Sequence, residues 1–452
     1  MKRHPLTPFL ALFSAAAMTV AAQSFDWPQW QGPDRNATSK EAGLLKQWSK
    51  DGPPLAWKIQ GLGGGYGAPS VAAGRMFGMS SRGEDEVVWA RSEADGKEVW
   101  GARLGPALTE GAPQGKEGAG CAPTVDGERL YVLGLGGDLA CLQVQDGKIV
   151  WRRSVANDFG GILPTWRYNE SPLVDGDKVV CTPGGKDATI VALNKLTGET
   201  IWKTAVTEPS GGSSGGPGGG RGGGRPGFRD SGASYSSAIA IDFGGQREYV
   251  QFTSKALVGV AASDGKFLWR YDRPANRMGI HCSTPIYQEG LVFAASAYGA
   301  GGGLVRLGKD GNGGIKADEV WFSKNMENHH GGVLVLDGCL YGSNGGNGGG
   351  YLVCLDFATG DVLWNERDAD KRRVTKGSVA LADGRIYYRT EEGTVLLVEP
   401  SRKEYLERGR FEQPDRTKQP AWTHPVIANG RLYIRDQDTL FSYNVRADGV
   451  KH

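Results

Sequence analysis

The chain has 452 residues, 71 of them glycine, and no long run with a convincing helical period, which favours many short strands over helices. Lys and Arg number 52 against 50 Asp and Glu. Without the two basic residues of the leader the balance is neutral, so no basic field exists to draw nucleic acid or an anionic membrane.

In chain order, Lys2 and Arg3 followed by an apolar Leu10 to Ala17 and Val20-Ala21-Ala22 read as a secretory signal over residues 1–22. The expected location is therefore outside the cytoplasm, periplasmic or secreted. The apolar part is short for a bilayer and no other segment reaches roughly 18 apolar residues, so no transmembrane segment is expected. Residues 23–54, beginning "SFDWPQWQGPDRN" after Gln23, hold too many Pro and Gly for a strand and are expected to form an extension packed on the following domain.

From Trp57 onward one unit recurs. A small or Pro residue opens an apolar run ("APSVAAG", "APTVDG", "SPLVDG", "TPIYQEG"). A Gly turn and two more strands follow, then Asp-Gly or Thr-Gly, then a strand ending in Trp. The markers are Trp57, Trp100, Trp151, Trp202, Trp269, Trp321 and Trp364, with a decayed one at about Leu406. Their base spacing, near 43, is that of a four-stranded propeller blade. The last unit stops after three strands at "RADG", and "PPLAWKI" precedes the first full unit. The N-terminal strand is thus expected to complete the C-terminal blade. The fold expected is all-β: an eight-bladed propeller over residues 55–445, with seven blades the alternative, and a tail over 446–452. A single closed ring of this kind is expected to be monomeric.

The units "DGKIVW" and "TGETIW", with "VALNK" ahead of the turn, resemble the pyrroloquinoline-quinone (PQQ) repeat. That repeat builds the quinoprotein alcohol-dehydrogenase-like propellers and also BamB, a scaffold of outer-membrane assembly. Together with "WPQWQGPDRNA", "NHHGG" and "HPVIANGRLYIRDQD", the resemblance covers residues 26–445 and is closest to exported PQQ-repeat propellers. It implies an eight-bladed ring. In the enzymes it implies PQQ held with a metal near Glu, Asn and Asp, over a tryptophan floor and often under a disulfide between adjacent Cys. This chain has no adjacent Cys pair and no acidic cluster that matches that metal site residue by residue.

Six Cys in an exported chain permit disulfides. Cys339 and Cys354 lie on consecutive strands of one hairpin and have the placement to pair. Cys121 and Cys141 fall on the first and third strands of a blade, too far apart. Buried free thiols are the alternative.

The loops from each fourth strand to the next first strand all open on one face, and the long units carry their extra residues there, at 101–119, 152–168, 203–234 and 270–281. Three positions ahead of the Pro, or its equivalent, on which each first strand aligns, at the mouth of the central channel, the eight units place Tyr66, Gly120, Asn169, Tyr235, Cys282, His330, Lys376 and Trp422. Beside them stand Trp166, Tyr168, Glu170, His281, His329 and His424. All the histidines but His4 and His452 lie here. This pattern is expected to make a polar, aromatic, imidazole-lined pocket for a small ligand or a protein partner. His281, His330 and His424 are candidate ligands of a transition metal, or an acid/base pair with Glu170. The alternative is a solvated rim whose histidines bond backbone carbonyls. A Gly-rich insertion, 209–229, is expected on the same face. Its Arg221, Arg225 and Arg229 are placed to meet an anion, though an unstructured loop is the simpler expectation. "KDGNGG" at 309–314 lacks the later Glu of a calcium loop and reads as a hairpin turn.

The functional expectation is a ligand- or protein-binding scaffold working through the loop-rich face and channel mouth. The alternative is a quinoprotein-like oxidoreductase or metal-dependent enzyme at the same mouth.

Overall fold

The computed structural model describes residues 24–108, 118–206, 231–346, 349–369 and 375–449. The segment 1–22, expected to be a secretory signal, and the Gly-rich insertion 209–229, with Arg221, Arg225 and Arg229, lie outside the described residues.

Eight four-stranded antiparallel sheets form the blades. The first comprises Ser70–Ala72, Arg75–Arg82, Asp85–Ser92 and Glu98–Pro106. The next six follow in chain order, ending with Gly377–Ala382, Arg385–Thr390, Thr394–Glu399 and Leu406–Glu412. The eighth has three C-terminal strands, Val426–Ala428, Arg431–Asp436 and Thr439–Asn444, and its fourth is Leu55–Ile59 from the other end of the chain. Eight blades, and closure by the N-terminal strand, agree with the repeat pattern.

The recurrent turn and tryptophan are two halves of one joint. The register slips by one residue beside each marker, for example between Cys141↔Trp151 and Leu142↔Ile149. Such a bulge turns the ring in against the sheet. The indole of one blade then lies under the Gly of the next blade's Asp-Gly or Thr-Gly turn. A Cβ on Gly147 would stand 2.5 Å from Trp100, and one on Gly360 2.6 Å from Trp321. Only Gly tolerates both that contact and φ near +75°. The indole N–H donates to a carbonyl at the same turn: Trp100 to Val144, Trp151 to Lys195, Trp202 to Ala262, Trp321 to Phe357 and Trp364 to Ser401.

The seventh blade departs from the expected marker near Leu406. Its register, Leu397↔Gly409 with the slip just before Val398, puts Gly409 in the tryptophan position. The ring comes instead from Trp48 of the N-terminal extension, whose backbone N–H donates to Arg408 O at 2.9 Å. Trp48 is buried and packs on Tyr387 and Phe411, with ring centroids 5.7 and 5.6 Å away. Tyr387 is the second-strand aromatic equivalent to Tyr341, which Trp364 packs on in the sixth blade.

The extension does more than pack on the ring; it crosses the axis. The first strand of each blade is innermost, and residues 27–39 touch these strands, or the residues leading into them, from opposite sides. Trp27 exchanges two 2.8 Å backbone bonds with Val71 (blade one), and Pro28 O accepts from Val125 (blade two). The Arg35 guanidinium donates to Ser171 O and Pro172 O (blade three). The Trp30 indole N–H donates to Thr284 Oγ1 (blade five), and Ala37 and Ser39 pair with Leu381 (blade seven). Asp26 and Phe25 bond Ala73 and Asn429 in the first-to-second-strand turns. The plug therefore closes the channel at the face opposite the long loops.

Two fully buried arginines pin the last blades with carbonyls and neutral side chains rather than carboxylates. Arg389 donates to Thr423 O, Arg435 O and Gln413 Oε1, and Arg435 to Gly67 O, Met79 O and Ser80 Oγ. Burial pulls both well below the usual arginine pKa, to about 9, against an opposing pull from Asp436 on Arg389 and from Asp438 on Arg435. Every cysteine is a free thiol; Cys339 and Cys354 are near each other but unbonded.

Candidate functional site: the channel mouth

Among the described residues, a cleft opens toward the loop-rich face. The approach to each first strand runs inward from this face, and sequence position decides which ring reaches the centre. Tyr66 meets Trp422 at 4.9 Å between centroids, Trp422 stacks on His330 at 4.2 Å and 26°, and His330 meets His329 at 3.8 Å. Lys376 Nζ donates to His329 Nδ1 at 3.0 Å and pairs with Glu391 Oε1 at 3.2 Å. Glu391 also accepts from the Trp422 indole N–H at 2.9 Å. His330, Lys376, Glu391 and Trp422, with Ser378, line a cleft of about 220 Å³ including open solvent at its mouth.

The charges within it are internally matched. Because an ammonium donates to His329 Nδ1, its Nε2 carries the proton and faces Tyr298 Oη at 2.8 Å. Burial, then the Lys376 charge, pushes this imidazole down to about 3, so it stays neutral. His330 is driven well below its ordinary value by burial first, then by His329, Lys376 and His424. Burial raises Glu391, and Lys376 opposes that rise. The His330 ring nitrogens have no hydrogen-bond partner among the described residues. Ser378 Oγ is buried and unpartnered as well.

Across the mouth, Trp166 and Tyr235 meet edge to face at 6.0 Å, and the Trp166 backbone N–H donates to Tyr235 Oη. Asn169 Nδ2 donates to Trp166 O at 2.6 Å, and its amide fills the space where Gly120 has no side chain. Cys282 lies close enough to Lys376 to feel its charge, yet burial still raises this thiol to about 12.

Other candidates point elsewhere. His281 is fully buried, stacked on Phe252 at 4.1 Å and 9°. Its Nδ1 donates to Thr253 O and its Nε2 accepts from Asn276 N–H, which leaves no lone pair for a metal. Glu170 is turned into the packing between blades three and four, accepting from Thr182 N–H, Thr182 Oγ1 and Gln251 Nε2. Burial raises it to about 8, against a lowering pull from Arg35. His424 sits below the mouth, tilted on Trp30 of the plug, and donates from Nε2 to His330 O at 2.8 Å. Tyr168 is buried and donates to Pro183 O. Among the described residues, no group of three or more His, Cys, Asp or Glu is placed to hold a metal ion.

Glu391, Ser378 and Tyr298 are not among the candidates that the sequence suggests. Glu391 and Tyr298 lie in second-to-third-strand turns, which open on the same face as the long loops. That parity is the signal available for them.

The sequence matches the family described as outer membrane protein assembly factor BamB over residues 84–366 and 348–451. No curated protein matches it. Among solved structures, BamB from Moraxella catarrhalis superimposes with a TM-score of 0.56 at 16% identity, covering 88% of this chain and 98% of that one. Quinohemoprotein alcohol dehydrogenase from Comamonas testosteroni gives 0.63 at 14% identity, covering 94% and 81%. At such identities the likeness is one of fold. No helix among the described residues is long and apolar enough to cross a membrane.

Proposed function

This chain belongs to the family described as outer membrane protein assembly factor BamB, and on that premise we propose that it is an exported, non-catalytic binding scaffold that engages its partner through the loop-rich face. The observation that carries the reading is the asymmetry of the channel. One end is filled by residues 27–39. The other presents aromatic and polar groups, among them His330 and Ser378, whose buried Oγ has no hydrogen-bond partner among the described residues. A rigid ring that offers side chains and loops at one end suits recognition. The partner class that the family description suggests is the protein apparatus for outer-membrane assembly.

The metal-dependent alternative draws less support, because His281 and Glu170 spend their polar atoms on the fold. Site-specific photocrosslinking in the native host tests the scaffold reading. Ile162 is exposed in a long loop of the open face, and Leu196 is exposed in a turn of the plugged face. A crosslinker at 162 should give a discrete protein adduct and one at 196 none. Adducts from 196 alone, or equally from both, would reverse the assignment.

A further inference from the structure

The fold shared with quinohemoprotein alcohol dehydrogenase raises the question of whether this mouth fits PQQ, a planar quinone with three carboxylates. The donor set does not fit it. The one ammonium lining the cleft, Lys376, is already committed to Glu391 and His329. Three buried carboxylates against a single neutralised cation would leave unpaired charge at a cost of several kcal/mol per ion. The described residues hold no metal-ligating cluster to supply further positive charge. The Trp422 face that lines the cleft is also covered: His330 stacks on it with ring centroids 4.2 Å apart. Below it, the axis is closed by Trp30 against His424.

We infer that the mouth is a self-filled slot, in which the His330 imidazole is the resident occupant of the stacking position over Trp422 and excludes a planar cofactor. Two features distinguish an occupant from a tethered structural histidine. Trp422 is pinned through its indole N–H to Glu391, whereas the His330 ring makes no hydrogen bond among the described residues and meets Trp422 and His329 through ring contacts. His281, in contrast, is bonded at both nitrogens. Removal of the ring at position 330 should leave an imidazole-sized vacancy with its walls standing.

Two measurements on the full mature chain decide this, and neither depends on the partner sought by crosslinking. The wild-type protein, incubated with PQQ and calcium chloride and then desalted, should retain no quinone absorbance. Retention near one quinone per chain would overturn the inference while leaving the scaffold assignment to its own test. His330→Gly should melt lower than wild type, and added imidazole should restore its Tm saturably while leaving the wild-type Tm unchanged. A folded His330→Gly protein, native by circular dichroism, that imidazole does not restore would show that no stacking slot exists. His330→Ala carries the same test should the glycine variant fail to fold.

Discussion

Trp48 stands where Gly409 leaves a vacancy: a Cβ at 409 would lie 2.6 Å from the Cβ of Trp48. The two are a matched exchange, one residue giving up a side chain so that another from outside the repeat can supply the interblade ring. Trp48→Ala should cost about 3–5 kcal/mol, as a large buried aromatic does. Gly409→Ala should cost about 1–3 kcal/mol by overpacking in the wild type and much less in the Trp48→Ala background. A double-mutant cycle by urea unfolding measures that coupling; strictly additive losses would show that the two sites are independent.

The plug is held by a guanidinium that reaches three carbonyl and amide oxygens, on Gln29, Ser171 and Pro172. Burial pulls Arg35 down to about 10. Arg35→Met should destabilise the chain by about 2–4 kcal/mol, since the carbonyls stay buried without a donor. Amide exchange should accelerate first in residues 27–39 and in the facing Leu381. Uniform acceleration around the ring would mean that the plug has no separate stability.

Stability should pass through a maximum in mildly acidic solution. Between about 4.5 and 8 the folded chain keeps protons on Glu86 and Glu170 that the unfolded chain has released, so the contribution of these two groups falls as pH rises through that window. His281 and His424 hold folded values of about 4 and His329 of about 3. The unfolded chain protonates them first, so stability also falls as pH drops below about 6.5. Each fully buried group contributes a slope of at most about 1.4 kcal/mol per pH unit. Glu170→Gln should flatten the alkaline limb and leave the acid limb intact. An unchanged alkaline limb in a Glu86→Gln, Glu170→Gln double variant would refute this origin.

The thiols should be silent until the ring opens. Burial raises Cys121 and Cys282 to about 12 and Cys141 to about 11. A chromogenic disulfide reagent at pH 8 should titrate less than one thiol in the native chain and all six in guanidinium. Fast native labelling would place at least one thiol at an open surface.

Much of this architecture is legible in the sequence, because a propeller repeats its contacts. The Asp-Gly turn and the Trp recur since each Gly rests on the preceding blade's ring, and the missing last strand matches the strand at Trp57. Trp48 is not legible, because its contacts are with a blade more than three hundred residues away and no repeat announces it. The mouth is legible as a place and only partly as a chemistry. Spacing puts His330 at the aligned position and His281 one residue before it, beside Cys282, and the direction of each side chain separates them, one into the core on Phe252 and one over Trp422. Glu391 is hidden because it belongs to a turn rather than to the aligned approach of a first strand.

Residues 24–59 precede the first blade in the chain and complete their contacts in the last two. Their partners include Leu381, Arg408, Val445 and Tyr443, so part of the contacts of this segment stay unmade until the seventh and eighth blades exist. The plug's pairing with Leu381, the docking of Trp48 and the closing strand all wait for the final strands. The chain thus carries its own check on completeness: a truncated product can stack blades, but it can neither fill its axis properly nor seal its ring.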